Sequence, residues 1–275
     1  MLDIRMIASD VDGTMLPRGG IISENLRRAI RGCRERGIPF IISSGRWIGA
    51  LQDIIRQSGT EGMPMIIANG AAVIGPDGVP MREWLLDDAD TRHAYEILRQ
   101  FDVQVNGYVR DGLYCVNTKA LKRQSTMIRD YIGAGDIRLV VDDEAAFEAV
   151  ALHSAYKLEG LTEDRALIQE VRAAFEGTGL SVTHSSGRNV EIMAAGVGKG
   201  RALRWLAETH GVPMENCMAF GDNANDLDML AAVGWPVAVG NADDSAKRVA
   251  RMVTAADVDD GVARTIFEQV LGESM

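Results

Sequence analysis

Short apolar runs, each of strand length, recur along the chain, and each gives way to glycine or small polar residues before a segment with helical periodicity. Residues 4–9 lead into Asp10-Val11-Asp12-Gly13-Thr14, 38–43 into Ser44-Gly45-Arg46, and 65–68 into Asn69-Gly70-Ala71. Later in the chain 217–220 lead into Gly221-Asp222-Asn223 and 236–239 into Gly240-Asn241. A strand that is apolar on both sides must be buried on both faces, so strands of this kind alternating with helices require a parallel sheet with helices on either side. The expected fold is α/β, with a Rossmann-like parallel-sheet core. Two of its helices are directly legible. Ser23 is placed to cap a helix in which Leu26, Ala29, Ile30 and Cys33 form one stripe before Gly37 ends it. Lys199 opens another, with Ala202, Leu203, Leu206 and Ala207 on one face and Gly211 at its end. In such a sheet the first polar residues after each strand gather at the carboxyl edge, where open α/β sheets bind ligands. Each turn taken singly also reads as an ordinary strand-to-helix connection, in which Gly, Asn and Asp serve the backbone.

Between residues 83 and 193 the pattern changes. A helix is expected at 91–101, then a strand pair at 103–109 and 113–117 around Arg110-Asp111-Gly112. A strand at 155–160, a helix at 164–177 and a second strand pair at 180–183 and 190–193 follow. This reads as an α+β module inserted into the parallel domain, with the core formed by 1–82 and 194–275 and the insert by 83–193.

Among the 275 residues, 39 acidic side chains outnumber 29 basic ones, for a net charge of -10. That balance argues against general nucleic-acid binding. It also means that an anionic substrate would have to be held by a few local cations, helix N-termini or a bound metal, against the overall field. The cysteines Cys33, Cys115 and Cys217 are far apart and form no CxxC pair, which excludes a disulfide framework or a structural zinc site as the expectation. The opening Met-Leu-Asp-Ile-Arg lacks the apolar core of a secretory signal. No stretch approaches the ~18 apolar residues that cross a bilayer. A cytoplasmic protein without membrane association is expected.

Asp10 and Asp12 stand two residues apart directly after an apolar strand, so on extended backbone their carboxylates point to the same side, and Gly13 lets the chain turn there. Such a pair can divide labour: one carboxylate stays ionised as nucleophile or magnesium ligand, while the other, with a raised pKa, works as acid and base. Alone, the segment reads equally well as a strand followed by an Asp-Gly turn. Gly221-Asp222-Asn223-Ala224-Asn225-Asp226 follows another apolar strand, and Asp222 beside Asp10 would give magnesium the hard oxygen ligands it prefers. Helix capping accounts for part of that loop, but one cap does not need so many amide and carboxylate side chains. Ser44-Gly45-Arg46 offers a hydroxyl and backbone N–H groups at a helix start, and Gly198-Lys199-Gly200 sets an ammonium at another.

The ordered segments D-V-D-G-T, I-S-S-G-R, V-G-K-G and G-D-N-A-N-D-L-D-M resemble those of the haloacid dehalogenase superfamily, in its Cof-type phosphatase branch with a class IIB cap. I-I-A-N-G-A, A-V-G-N-A and D-D-G-V-A strengthen the resemblance, which spans nearly the whole chain. It implies that Asp10 attacks phosphorus and forms an aspartyl-phosphate, while Asp12 protonates the leaving alkoxide and then activates water. It further implies that Ser44, with Gly45 backbone support, binds the phosphoryl oxygens and that Lys199 offsets their charge. Magnesium would sit on Asp10, the main-chain carbonyl of Asp12 and Asp222, with Asn225 contacting phosphate and Asp226 supporting the loop. The second segment carries Ser44 where threonine is also common, which keeps the hydroxyl. The insert would be a cap that closes over the sheet edge and excludes water.

The activity so implied is magnesium-dependent hydrolysis of a small phosphorylated metabolite, a sugar phosphate or a phosphorylated cofactor. A phosphomutase using the same aspartyl chemistry is the alternative, and free phosphate release without a bisphosphate activator separates the two. A phospho-accepting signalling module also gathers Asp, Ser and Lys around magnesium, but an acid/base such as Asp12 beside an acyl phosphate hastens its turnover. Arg46, Asn69, His184 and Asn189 are candidate substrate contacts. For Asn69 a turn and for His184 a hairpin closure are the competing roles, and for Trp47 packing is favoured over stacking on substrate.

Overall fold

The computed structural model describes residues 2–17, 19–120 and 138–275. In chain order its strands are β1 (Met6–Ser9), β2 (Phe40–Ser43), β3 (Met65–Ile67), β4 (Ala72–Ile74), β5 (Pro80–Glu83), β6 (Gln104–Val109) and β7 (Gly112–Val116). They continue with β8 (Arg138–Val141), β9 (Lys157–Leu161), β10 (Ser181–Thr183), β11 (Asn189–Met193), β12 (Cys217–Gly221), β13 (Trp235–Ala238) and β14 (Met252–Val253). The chain forms two compact units, one of Met1–Gly45, Leu51–Arg82 and Gly198–Met275 and the other of Arg46–Ala50 and Glu83–Val197.

The first unit is built on a sheet of order β14-β13-β12-β1-β2-β3-β4-β5. β1 lies between β12 and β2 and runs parallel to both, and the pairs β2–β3, β12–β13 and β13–β14 are parallel as well. Strands β1, β2, β3 and β12 are buried along their whole length, as runs apolar on both sides require. Ser9 stands in register with Phe220 on one side and Ile42 on the other. The segments that begin at Asp10, Ser44 and Gly221 therefore leave the sheet side by side, although β12 comes late in the chain.

The helices follow the sequence pattern. Glu24–Glu35 starts where the Leu26 N–H donates to Ser23 Oγ at 3.0 Å, and it buries Leu26, Ala29, Ile30 and Cys33. Each buried Leu or Ile of this kind contributes about 1.5–3 kcal/mol. Lys199–Thr209 buries Ala202, Leu203, Leu206 and Ala207 and is followed by Gly211 at φ 65°. β3 turns back antiparallel into β4 through Ala68, Asn69 and Gly70, whose φ angles are all positive at 48°, 55° and 91°.

The second unit carries a sheet of order β10-β11-β9-β6-β7-β8, antiparallel except for the β7–β8 pair. Val109 pairs with Gly112, so the hairpin turn is Arg110-Asp111 and Gly112 belongs to β7, one residue shorter than the turn expected from sequence. Helices Asp88–Leu98 and Arg165–Ala173 are capped by the side chains of Asp87 and Asp164. Val105, Val109, Leu158, Val190 and Ile192 pack with Leu98, Phe147, Ile168 and Val171 in one core. The alternate positions Gln104, Asn106, Lys157, Glu159, Asn189 and Glu191 are polar and equally buried. Several pair with one another: Asn106 Nδ2, Tyr108 OH and Asn189 Nδ2 all donate to the Glu159 carboxylate, and Lys157 pairs with Glu191.

All three cysteines are free and buried, and burial pushes the Cys33 and Cys115 thiols up to about 12 and that of Cys217 to about 11. Among the described residues, no helix is long and apolar enough to cross a membrane.

Candidate active site

β1 delivers Asp10 to the sheet edge, where its N–H donates to Phe220 O at 3.0 Å and so ties the first loop to the end of β12. Asp10 is 6% exposed. The Lys199 Nζ, wholly buried, donates to Asp10 Oδ1 at 2.5 Å and to Asp226 Oδ1 at 2.6 Å. One ammonium thus joins the first loop, the helix Lys199–Thr209 and the loop after β12. That helix starts against a fixed acceptor: the Gly200 N–H donates to Asp228 Oδ2 at 2.7 Å. Any side chain at Gly200 would place its Cβ 2.3 Å from the Asp228 carbonyl oxygen, so glycine is what lets the helix approach closely enough for Lys199 to reach.

The loop after β12 divides its acids by task. Asp226 Oδ2 accepts from the N–H groups of Asp222 and Asn223 at 2.9 and 3.2 Å, and Asp226 Oδ1 accepts from Lys199. Both of its oxygens are thereby engaged, which suits a supporting role. Asp222 Oδ1 accepts from Thr14 Oγ1 at 2.8 Å, while the Asp222 carbonyl accepts from the Asp243 N–H at 2.8 Å. Its Oδ2 lies 2.9 Å from where a Cβ on Gly13 would stand, and Gly13 has φ +81°, so both space and backbone conformation call for glycine there. The Gly13 carbonyl in turn accepts from Asn241 Nδ2 at 2.7 Å.

Ligand oxygens of Asp10, Asp222 and Asp226 all lie within 4.8 Å of one another. Three carboxylates facing one ammonium leave an excess of negative charge. Burial, followed by repulsion from Asp226, drives the Asp222 carboxyl up to about 7, with Thr14 and Lys199 acting the other way. Burial raises Asp10 well above the ordinary carboxylate range, against the pull of Lys199. It is therefore Asp10, expected from sequence to be the member of the pair that stays ionised, whose carboxyl is pushed upward. For Lys199, burial alone would depress the ammonium, but Asp10 and Asp226 outweigh it and hold its pKa above the usual lysine value. A dense set of hard oxygens with uncompensated charge fits a divalent cation, which would lower both carboxyl pKa values and complete the charge balance. Asp10 Oδ2 and Asp222 Oδ2 accept no hydrogen bond among the described residues and are the oxygens available to it.

Asp12, by contrast, is exposed and bridges to Leu16 within the turn. Ser44 is buried at the end of β2, its N–H donating to Ile66 O at 2.9 Å and its carbonyl accepting from the Asn69 N–H at 3.0 Å. Asn225 donates through Nδ2 to Asn69 Oδ1 at 3.1 Å. Asp10, Ser44, Gly45, Lys199, Asp222, Asn225 and Asp226 all belong to the first unit, whereas Arg46 groups with the second, where its Nη1 donates to Ala50 O at 3.2 Å. Asn189 spends its amide on the Ser185–Ser186 turn and on Glu159, so it closes the hairpin and extends the buried network. Trp47 donates to Val109 O at 2.8 Å and packs on Tyr108, Leu113 and Cys115, the packing role expected of it. Sequence reasoning gave no role to Thr14, Asp228 or Asn241, although each lies in a quoted segment: Thr14 closes D-V-D-G-T, Asp228 falls in G-D-N-A-N-D-L-D-M and Asn241 in A-V-G-N-A.

The model of the haloacid dehalogenase-like hydrolase family matches residues 7–266. The chain is 29% identical to the 5-amino-6-(5-phospho-D-ribitylamino)uracil phosphatase YcsE of Bacillus subtilis over 270 residues, covering 98% of this chain and 97% of that protein. It is 28% identical to the pyridoxal phosphate phosphatase YbhA of Escherichia coli over 278 residues, covering 97% and 99%. A solved phosphatase of the same superfamily from Bacteroides thetaiotaomicron superposes with a TM-score of 0.79 at 27% identity, over 96% of this chain and 94% of that one. With its parallel-sheet core, its four ordered motifs and a family match over nearly the whole length, the chain belongs to the haloacid dehalogenase-like hydrolases and is a phosphatase of that family.

Proposed function

We propose that this phosphatase is a magnesium-dependent phosphomonoesterase that hydrolyses a small phosphorylated metabolite, a sugar phosphate or phosphorylated cofactor, through an aspartyl-phosphate on Asp10. The observation that carries the reading is the meeting of Asp10, Asp222 and Asp226 around the buried Lys199 ammonium, which supplies a nucleophilic oxygen and fixed positive charge in one place. The named substrates of YcsE and YbhA, a phosphoribitylamino-uracil and pyridoxal phosphate, give the substrate class its content.

In the first step an Asp10 oxygen forms a bond to phosphorus while the bond from phosphorus to the ester oxygen breaks, and Asp12 gives its proton to the leaving alkoxide. In the second step Asp12 takes a proton from water, the water oxygen bonds to phosphorus, and the Asp10–phosphorus bond breaks to release orthophosphate. Asp12 suits both transfers because its exposed carboxylate can exchange protons with solvent, unlike the enclosed Asp10. Ser44 and the Gly45 backbone orient the phosphoryl oxygens, Lys199 opposes their charge, and Asn225 extends the cradle from the other loop. Asp10, Asp222 and the main-chain carbonyl of Asp12 would hold Mg²⁺, which when bound neutralises charge on the phosphoryl oxygens.

A phosphate-release screen over diverse phosphorylated metabolites, with and without Mg²⁺ and with Asp10→Asn as blank, tests this directly. Magnesium-dependent release that vanishes in the folded Asp10→Asn protein is expected. Release unaffected by the substitution or by chelation would overturn the reading.

A further inference from the structure

Asn69 is buried in a left-handed turn with one end of its amide unpaired. It is 1% exposed, it adopts φ 55°, and it sits between two further left-handed residues, Ala68 and Gly70. Left-handed backbone is disfavoured for residues with a Cβ, and strain of this sort collects where a site over-determines the chain. One end of the side-chain amide is engaged, Oδ1 accepting from Asn225 Nδ2 at 3.1 Å. That leaves Nδ2, a buried donor with no hydrogen-bond partner. Leaving such a donor unsatisfied is destabilising, and native structures seldom tolerate it without a reason.

The position of this amide indicates what it serves. The Asn69 N–H donates to the carbonyl of Ser44, and a Cβ on Gly45 would stand 2.7 Å from Asn69 Oδ1 and 3.5 Å from Nδ2. Gly45 therefore leaves room for the amide beside the Ser44-Gly45 turn. Through Asn225 the same amide connects to the loop that carries Asp222 and Asp226. Gly70 packs against the residue that precedes Lys199: its Cβ would fall 2.2 Å from Gly198 O, so the turn is locked to the lysine helix as well. An unsatisfied N–H donor among these groups suits an oxyanion.

We propose that Asn69 is a catalytic residue that donates from Nδ2 to a non-bridging oxygen of the phosphoryl group, and that the left-handed turn of residues 68–70 exists to aim it there. The inference rests on the phosphatase reading above and adds a donor to the cradle formed by Ser44, Gly45, Lys199 and Asn225. The donor acts on the charge that the phosphoryl oxygens carry, so it contributes both to holding orthophosphate and to the rate.

Two variants with different side effects test it. Asn69→Gly suits the left-handed backbone, adds no charge and removes the amide. Asn69→Asp keeps shape and the oxygen that Asn225 uses, and removes only the donor while adding charge. Both are expected to lower kcat/KM for a phosphomonoester by about 10²-fold and to raise the inhibition constant for orthophosphate about 10-fold. For Asn69→Gly, which adds no charge, the dissociation constant for Mg²⁺, measured by calorimetry without phosphate, is expected to stay within about two-fold, because no hydrogen bond links Asn69 to the three carboxylates among the described residues. If both folded variants keep the wild-type inhibition constant for orthophosphate, the amide serves only the turn and the proposal is wrong. A wild-type protein that neither releases phosphate from any ester nor binds orthophosphate would instead sink the phosphatase reading, and this inference with it.

Discussion

Asp10 and Lys199 meet in a place that water barely reaches, and their environments pull in opposite directions. Burial favours a neutral Asp10, while the buried ammonium needs the carboxylate charge. An acid whose pKa is raised on folding weakens the folded state once the pH exceeds its unfolded value, so Asp10 costs the folded protein stability at neutral pH. Asp10→Asn should abolish turnover, yet in magnesium-free buffer at pH 7 its melting temperature should be no lower than that of the wild type. Calorimetric melting of the two proteins checks this, and a marked loss of stability would mean that the ion pair to Lys199 outweighs burial. Asp12 sits in the opposite setting, exposed to solvent. If it protonates the leaving group, Asp12→Ala should slow hydrolysis of alkyl phosphates by about 10²–10⁴-fold. p-Nitrophenyl phosphate, whose leaving group needs no proton, should suffer much less in its first step. Burst kinetics on the two substrates read that difference.

At the scale of elements, close approach does much of the positioning. The start of the helix that carries Lys199 meets the helix Leu227–Ala232 at positions where only hydrogen fits: Cβ atoms on Gly198 and Gly200 would stand 2.1 and 2.3 Å from Asp228 atoms. Gly200→Ala must push the helix away, and a destabilisation of about 1–3 kcal/mol is expected. Activity should fall further than stability explains, because Lys199 moves with the helix; denaturant melts paired with kcat measurements separate the two effects.

This contact geometry also marks the boundary of what the sequence makes legible. Apolar runs with period-breaking glycines predict β1, β2, β3, β12 and β13, and stripes with caps predict the helices at Glu24–Glu35 and Lys199–Thr209. β4, β5, β8 and β14 were not read. β4 and β14 are too short to display a pattern, and β5 alternates among partly and fully exposed residues. The helical stretch 144–154 was missed too, where regular α-helix is interrupted by a π-turn at Phe147–Ala151. Motif order brought Asp10, Lys199, Asp222 and Asp226 into one list, but their distances, the role of Asp228 as anchor for Gly200 and the buried Lys157–Glu191 pair depend on contacts between segments remote in sequence.

For the whole molecule, the site couples stability to pH and to metal. Asp222 titrates at about 7 in the folded protein, above the ordinary carboxylate value, so the folded state keeps a proton that the unfolded chain gives up near pH 4. Its contribution to stability is complete below about pH 4 and is lost as the pH rises through about 7. A divalent cation bound by Asp222 would take the place of that proton. The rise in melting temperature caused by Mg²⁺ should therefore be small at pH 5.5 and larger at pH 8, with protons released on binding at neutral pH. Calorimetry in buffers of different ionisation enthalpy measures the protons, and an increment that shrinks as pH rises would contradict the assignment of Asp222 as a ligand.

The catalytic reading depends on one oxygen of Asp10 becoming bonded to phosphorus. Rapid quenching of the enzyme with a phosphomonoester and Mg²⁺, followed by mass spectrometry of the digested chain, reads that bond directly. A phosphoryl group on the peptide containing Asp10, formed and lost at rates compatible with turnover, is the predicted result; turnover with an unmodified Asp10 peptide, or with the group on another residue, would contradict the account.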